Sequence, residues 1–153
     1  MAGIRRVARP VPVRLAALGL AATATAAPGA IGPSGAGNTI AQTFLNNALQ
    51  EQGKPYVYGA NAAISDPNPK AFDCSELTKW ASARAGITIP DGATALYLYT
   101  RAHGTTMSVQ QALHTPGALL FHFGHEPKNL GDIPADGHVA IIVAALLLPR
   151  PLG

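Results

Sequence analysis

The single cysteine of this chain lies in a sequence that favours nucleophilic chemistry. Cys74 follows Asp73, a residue type that caps helix N-termini, and the apolar residues after it recur at helical spacing, namely Leu77, Trp80, Ala81 and Ala85. This pattern predicts a helix that starts at Cys74 and is closed by Gly86. Unpaired backbone N–H groups and the helix dipole stabilise negative charge at its first position, which favours a thiolate. The alternative is that Cys74 is a small buried apolar residue.

Glu76 stands three residues after Asp73, where a capping box places its carboxylate. In that motif the side chain of the third helical residue accepts a hydrogen bond from the backbone N–H of the N-cap residue. The sequence therefore predicts that Glu76 stabilises the start of the Cys74 helix.

A thiolate nucleophile needs a base, and histidine is the usual one. Of the five histidines, His138 is the favoured candidate because it opens an apolar run, residues 139–143, that predicts a strand. A rigid strand end can hold an imidazole against a helix N-terminus. His103 and His114 fall at predicted helix ends, where a solvated or dipole-stabilising role is the simpler interpretation.

The remaining two histidines allow a metal site as an alternative. His122 and His125 have a spacing that could serve zinc together with Asp132 or Asp136. Two histidines and a remote carboxylate are a weak signal, so we expect no metal and no other cofactor.

The elements that would position these residues run from helices to strands. Helical patterns cover residues 40–52, 74–85, 93–102 and 108–113, with a strand as the alternative for residues 93–102. The first of these helices has a capping box formed by Thr39 and Gln42. Extended patterns cover residues 87–89, 118–123 and 137–148. Helices followed by strands predict an α+β domain whose sheet is built from the C-terminal half.

The N-terminal composition differs from that of the rest of the chain. Four of the eleven basic residues lie before residue 15, whereas all eight acidic residues lie after residue 50. Arginines followed by a short Ala/Leu run predict a signal peptide over residues 1–27, with an Ala/Arg-rich linker or a misassigned start codon as alternatives. The run is shorter than the roughly 20 apolar residues that cross a bilayer, so we expect no stable membrane insertion.

Composition also limits the domain organisation and the kinds of partner that we expect. Residues 28–38 read as a Gly/Pro/Ser linker and residues 39–153 as one domain. Without the N-terminal arginines the chain has no basic excess, so we expect no nucleic-acid partner. One cysteine excludes an intramolecular disulfide.

Four motifs together resemble the NlpC-type cell-wall peptidases, the p-sixty family. They are GKPYVYG at residues 53–59, FDCSEL at 72–77, PGALLF at 116–121 and GHVAI at 137–141. The resemblance implies a papain-like α+β domain, with N-terminal helices and the Cys helix packed on a C-terminal antiparallel sheet. It implies a monomeric cysteine endopeptidase that cuts peptidoglycan stem peptides, commonly between D-glutamate and a diamino acid. It also implies a secreted or cell-wall location, with a phage virion as the alternative.

The resemblance assigns roles residue by residue. Cys74 matches the nucleophile and His138 the general base and acid. Tyr56 matches the tyrosine that lines the site and helps to stabilise the oxyanion, although a plain core role is its alternative. Asp73 and Ser75 match positions that help to bind the polar end of the stem peptide, and the capping role of Asp73 is compatible with this.

Three of the departures from the family pattern bear most on the predicted site. Glu76 replaces a commoner glycine, and Ala118 replaces the aspartate of a Pro-Gly-Asp motif. After His138 the family has a further strand with a polar residue that orients the base, and residues 139–153 contain no such residue. We therefore expect a truncated C-terminus. The alternatives to an active endopeptidase are a catalytically impaired relic, a phage-tail-derived wall-binding module, and an amidase or acyltransferase on the same scaffold.

Overall fold

The structure is a computed structural model, and it describes residues 15–17 and 35–143. The four helices of this part are α1 (Gly35–Gln50), α2 (Cys74–Arg84), α3 (Ala93–His103) and α4 (Val109–Leu113). The four strands are β1 (Leu15–Ala17), β2 (Thr105–Met107), β3 (Ala118–His122) and β4 (His138–Ile141). None of the helices in residues 35–143 combines the length and the apolar character needed to cross a bilayer.

The strands form one sheet in the order β2-β1-β3-β4, with every neighbouring pair antiparallel. In the β3–β4 pair, Phe121 lies opposite Val139 and His122 opposite His138. Helices and an antiparallel sheet together confirm the predicted α+β class.

The core lies between the helices and one face of the sheet. Antiparallel pairing places Leu119, Phe121 and Val139 on the same face, and each is at least 98% buried. Trp80 of α2 and Leu96 of α3 belong to the same apolar cluster. This packing attaches α2 to β4, so the start of the helix and the start of the strand are held in a fixed relation.

Local signals account well for α2. Asp73 is its N-cap, and its Oδ1 accepts a hydrogen bond from the backbone N–H of Glu76 at 2.8 Å. The helix ends at Arg84, and Gly86 follows at a φ of +82°, a conformation that glycine adopts without strain. The predicted bounds of this helix are therefore confirmed to within a residue or two.

The predicted capping box at Glu76 is wrong. The Glu76 side chain is 3% exposed, and its Oε2 accepts a hydrogen bond from the backbone N–H of Ala62 at 2.8 Å. The Ala62 N–H is buried and would lose a hydrogen bond without this carboxylate. The backbone N–H at the half-exposed helix start loses less free energy, because water can accept its hydrogen bond. Glu76 therefore anchors the loop before the helix instead of capping the helix itself.

Other boundaries differ from the predictions. Helix α1 begins at Gly35, so its first four residues lie within the segment predicted as a linker, and Thr39 lies inside the helix instead of at its start. Residues 93–103 are helical, as is most of the predicted segment 108–113, where Ser108 and Gln111 form a capping box at the start of α4. Residues 87–89 form no strand, because their chain leads from α2 into the turn before α3 without a strand partner.

The N-terminal region supplies a strand that the sequence did not predict. Strand β1 pairs with β2 and with β3, so the sheet is not built from the C-terminal half alone. The signal peptide stays a prediction, since most of residues 1–27 lie outside the described part of the chain. The final residues, including much of the predicted strand over 137–148, also lie outside it.

Candidate active site

Cys74 is the first residue of α2 and is half-buried. Two cavities meet at this residue, one of about 290 Å³ and one of about 780 Å³, and Cys74, Asp73 and Tyr56 line both. The thiol is therefore reachable from both sides of the helix start, as a nucleophile acting on an extended substrate requires.

His138 lines the smaller cavity together with Cys74. It is the first residue of β4 and is exposed, and its ring centroid lies 6.4 Å from that of Tyr56. The tertiary structure thus brings the two predicted reacting groups, 64 residues apart in sequence, to one cavity. Within residues 35–143, neither ring nitrogen of His138 has a hydrogen-bond partner.

Tyr56 lies between the two reacting groups. Its backbone pairs with Phe72 in an isolated bridge, which fixes the tyrosine beside the segment that leads to Cys74. Desolvation, the negative charges of Cys74 and Asp73 and hydrogen bonding with the Cys74 side chain raise the pKa of Tyr56 above its usual value. The phenol therefore keeps its proton at neutral pH and can donate it in a hydrogen bond.

Asp73 and Ser75 lie on the larger cavity. Ser75 is 5% exposed, and its hydroxyl donates to Asp73 Oδ1 at 3.1 Å. The same carboxylate oxygen accepts the Glu76 N–H, so its capping role is established by geometry while its predicted role toward substrate stays a prediction.

A charged cluster that the sequence analysis missed supports the wall of the larger cavity. Lys79 Nζ donates to Glu76 Oε1 and to Asp91 Oδ2, the latter at 3.0 Å, and so joins α2 to the residue before the N-cap of α3. Burial raises the pKa of Glu76. Burial acts on Asp91 in the same direction, but hydrogen bonding with Glu76 and with the Lys79 ammonium outweighs it and lowers the pKa of Asp91. The i, i+3 spacing of Glu76 and Lys79 was visible in the sequence, but the position of Asp91 was not.

We expect Glu76→Ala to lower the free energy of unfolding by about 3 kcal/mol, because it leaves the Lys79 ammonium and the Ala62 N–H short of a buried partner. Urea unfolding measures this. Arg101→Ala is the control, since Arg101 and Glu126 form an exposed ion pair whose loss should cost less than about 1 kcal/mol. Equal losses in the two variants would contradict the anchoring role of Glu76.

The two histidines considered for zinc have different partners in the structure. His125 Nε2 lies 2.7 Å from Asp132 Oδ1, and this pairing lowers the pKa of Asp132. His122 Nδ1 lies 3.3 Å from the backbone oxygen of Asp136. Over the described residues, no group of three or more His, Cys, Asp or Glu side chains could hold a metal ion.

Comparison with known proteins points to one family. The model of the NlpC/P60 family matches residues 53–143. The chain is 36% identical over 94 residues to the bifunctional muramidase/DL-endopeptidase CwlT of Bacillus subtilis, which covers 60% of this chain and 25% of that protein. It is 37% identical over 97 residues to "Probable endopeptidase p60" of Listeria monocytogenes, covering 63% of this chain and 18% of that protein.

A third relative is the peptidoglycan DL-endopeptidase CwlO of Bacillus licheniformis. It is 27% identical over 105 residues, covering 69% of this chain and 21% of that protein. The chain thus matches a quarter or less of the length of these relatives. The part that matches the family model contains Tyr56, Cys74 and His138.

Proposed function

Because the chain belongs to the NlpC/P60 family, as its motifs predicted, we propose that it is a cysteine endopeptidase of peptidoglycan stem peptides. Relatives carry the name DL-endopeptidase, which supports cleavage of a bond such as that between D-glutamate and a diamino acid. The observation that carries the proposal is that Cys74 at a helix start and His138 at a strand start line one cavity beside Tyr56.

The reaction follows from these three side chains. His138 accepts the proton of the Cys74 thiol, and the sulfur attacks the scissile carbonyl carbon. The C–N bond then breaks, and His138 returns the proton to the leaving amine, so a thioester remains on Cys74. Water, deprotonated by His138, attacks the thioester and releases the carboxylate and the free thiol.

The position of His138 indicates which of the two cavities holds the amine side of the substrate. The general acid must stand next to the leaving nitrogen, and His138 lines only the smaller of the two cavities. We therefore assign the amine side of the substrate to the smaller cavity and the acyl side to the larger one. Asp73 and Ser75 then contact the acyl part, in keeping with the role that the family resemblance gives them.

Tyr56 and the backbone N–H of Cys74 are the proposed oxyanion donors. Tyr56→Phe removes one of the two, and we expect kcat to fall about 100-fold with KM changed less than about threefold. Steady-state kinetics on a defined muropeptide measures the split. Tyr99→Phe is the control, because Tyr99 lies on α3, stacks on the His103 ring and lines neither cavity. A drop in both variants, or a rise in KM alone, would contradict the oxyanion role.

One observation favours a second candidate, a catalytically impaired wall-binding module. No hydrogen-bond partner orients His138 within the described residues. Incubation of the purified chain with a defined muropeptide, followed by mass spectrometry of the products, separates the candidates. Two fragments that sum to substrate plus water support the endopeptidase. Binding of the muropeptide without cleavage supports the wall-binding module. A stem peptide released from its sugar supports an amidase, and a product joined to a new acyl acceptor supports an acyltransferase.

The substrate also suggests the place of action. We propose that the chain acts as a monomer at the cell wall after export directed by residues 1–27. Intact-mass analysis of the exported protein tests the removal of that segment, and light scattering tests the monomer. Cleavage near residues 24–27 would also remove β1 from the sheet.

A further inference from the structure

The turn that leads into His138 is attached to the end of β3. The backbone N–H of Gly124 donates to the Ala135 oxygen at 2.9 Å, and β4 then starts at His138 with its pairing to His122. The three residues before His138 are therefore held between two backbone contacts with β3 and the residues after it.

Within this turn, Asp136 has an unusual backbone conformation. Its φ is +59°, and among the described residues it is the one non-glycine with a positive φ. Aspartate adopts this left-handed conformation more readily than most residues but still at an energetic cost, so surrounding contacts must hold it. Gly137, the next residue, packs so closely that a Cβ atom there would lie 3.3 Å from the Phe123 ring.

His122 supplies a side-chain contact to this turn. Its Nδ1 lies 3.3 Å from the backbone oxygen of Asp136. Because a carbonyl oxygen can only accept a hydrogen bond, the His122 ring carries a proton on Nδ1. The bond is long for N–H···O and lies at the surface, so its loss should have a moderate effect and leave the fold intact.

His122 is also the residue directly opposite His138 in the β3–β4 ladder. Opposite residues of an antiparallel pair project to the same face of the sheet, so the two histidines share the face that Phe121 and Val139 do not occupy. His122 is thus connected to the proposed base twice, through the ladder and through the carbonyl two residues before it.

We propose that His122 is a positioning residue for His138 and acts through its hydrogen bond to the Asp136 carbonyl. This bond sets the orientation of the Asp136–Gly137 peptide, and hence the point from which the His138 side chain enters the cavity that it shares with Cys74. The inference rests on the proposed function, which makes His138 the base and the acid. His122 lines neither cavity, so we assign it no contact with the substrate.

The test uses two substitutions of His122 with opposite properties. Asparagine can place an amide N–H near the position of Nδ1, whereas leucine has no donor but avoids the low strand propensity of asparagine. We expect H122L to lower kcat about 5- to 20-fold with KM changed less than about twofold, because a small misplacement of the base slows proton transfer. We expect H122N to keep at least about half of the parent kcat. A role limited to strand stability predicts the reverse order, and that order or equal rates in the two variants would overturn the proposal.

H114L is the matched control. His114 is exposed, follows the last residue of α4 and lines neither cavity. Its replacement makes the same change of side chain away from the turn, so H114L should match the parent chain. A loss in H114L as large as that in H122L would contradict the assignment.

A second readout does not need activity. In ¹⁵N-labelled protein, NMR relaxation gives the order parameters of the Gly137 and His138 backbone N–H groups. We expect lower values in H122L than in the parent chain and in H122N. Unchanged values in H122L overturn the role of His122 whatever the activity. Lower values in H122L, found together with a parent chain that cuts no muropeptide, support the contact of His122 with the turn and contradict the proposed endopeptidase.

Discussion

Cys74→Ala is expected to abolish muropeptide cleavage, with a fall in kcat of about 10⁴-fold or more. The thioester cannot form without the sulfur, and no other thiol exists in the chain to replace it. The fold should survive, because Asp73 still caps α2 and Cys74 is only half-buried. The melting temperature of the variant and its rate on a defined muropeptide measure the two effects together.

A chemical version of the same test uses the parent chain. Iodoacetamide reacts fastest with thiolates and Cys74 is the one cysteine, so at limiting reagent mass spectrometry should show one added group and the remaining activity should fall in step with it. Ser34→Ala, a small-residue change far from Cys74 in sequence, serves as a handling control. Turnover that persists in Cys74→Ala or after complete alkylation would remove the thiol from the mechanism.

His138→Gln is expected to lower kcat about 10³- to 10⁴-fold, because glutamine can neither accept the thiol proton nor return it to the leaving amine. Stability should change by less than about 0.5 kcal/mol, since the side chain is exposed and makes no hydrogen bond within the described residues. Alkylation of Cys74 should also slow, which separates a lost base from a lost binding contact.

His103→Gln is the matched control for His138. His103 lies exposed in the last turn of α3, where its Nδ1 is 3.0 Å from the backbone oxygen of Tyr99, and it lines neither cavity at Cys74. Its loss should leave the rate unchanged. If His138→Gln keeps the parent rate, the base must be another group. The assignment of the amine side of the substrate to the smaller cavity would then also be wrong.

The elements predicted well from sequence are those held by contacts within about four residues. Asp73 caps α2, Gly86 follows its end, and Ser108 and Gln111 cap α4, because each of these bonds joins near neighbours. The α+β class followed for the same reason, since helical and extended periodicity are local properties.

Glu76 is a residue whose partners a local sequence pattern does not predict. Glu76 has the spacing of a capping box, yet its carboxylate bonds the Ala62 N–H and Lys79 instead. Burial of the Glu76 side chain favours the Ala62 N–H over the N-cap N–H as its partner. This burial depends on how the loop before α2 packs. Strands β1 and β2 escaped prediction similarly, because three-residue strands carry little periodic signal and exist only through their partners.

By itself, the sequence determined the type and local setting of each reactive group: a lone cysteine at a helix start, a histidine before an apolar strand and a tyrosine in the motif ahead of them. Only the tertiary structure decided that Cys74 and His138 share a cavity. The reason is that packing of α2 against β4 sets the distance between residues far apart in sequence, and no local pattern encodes that distance.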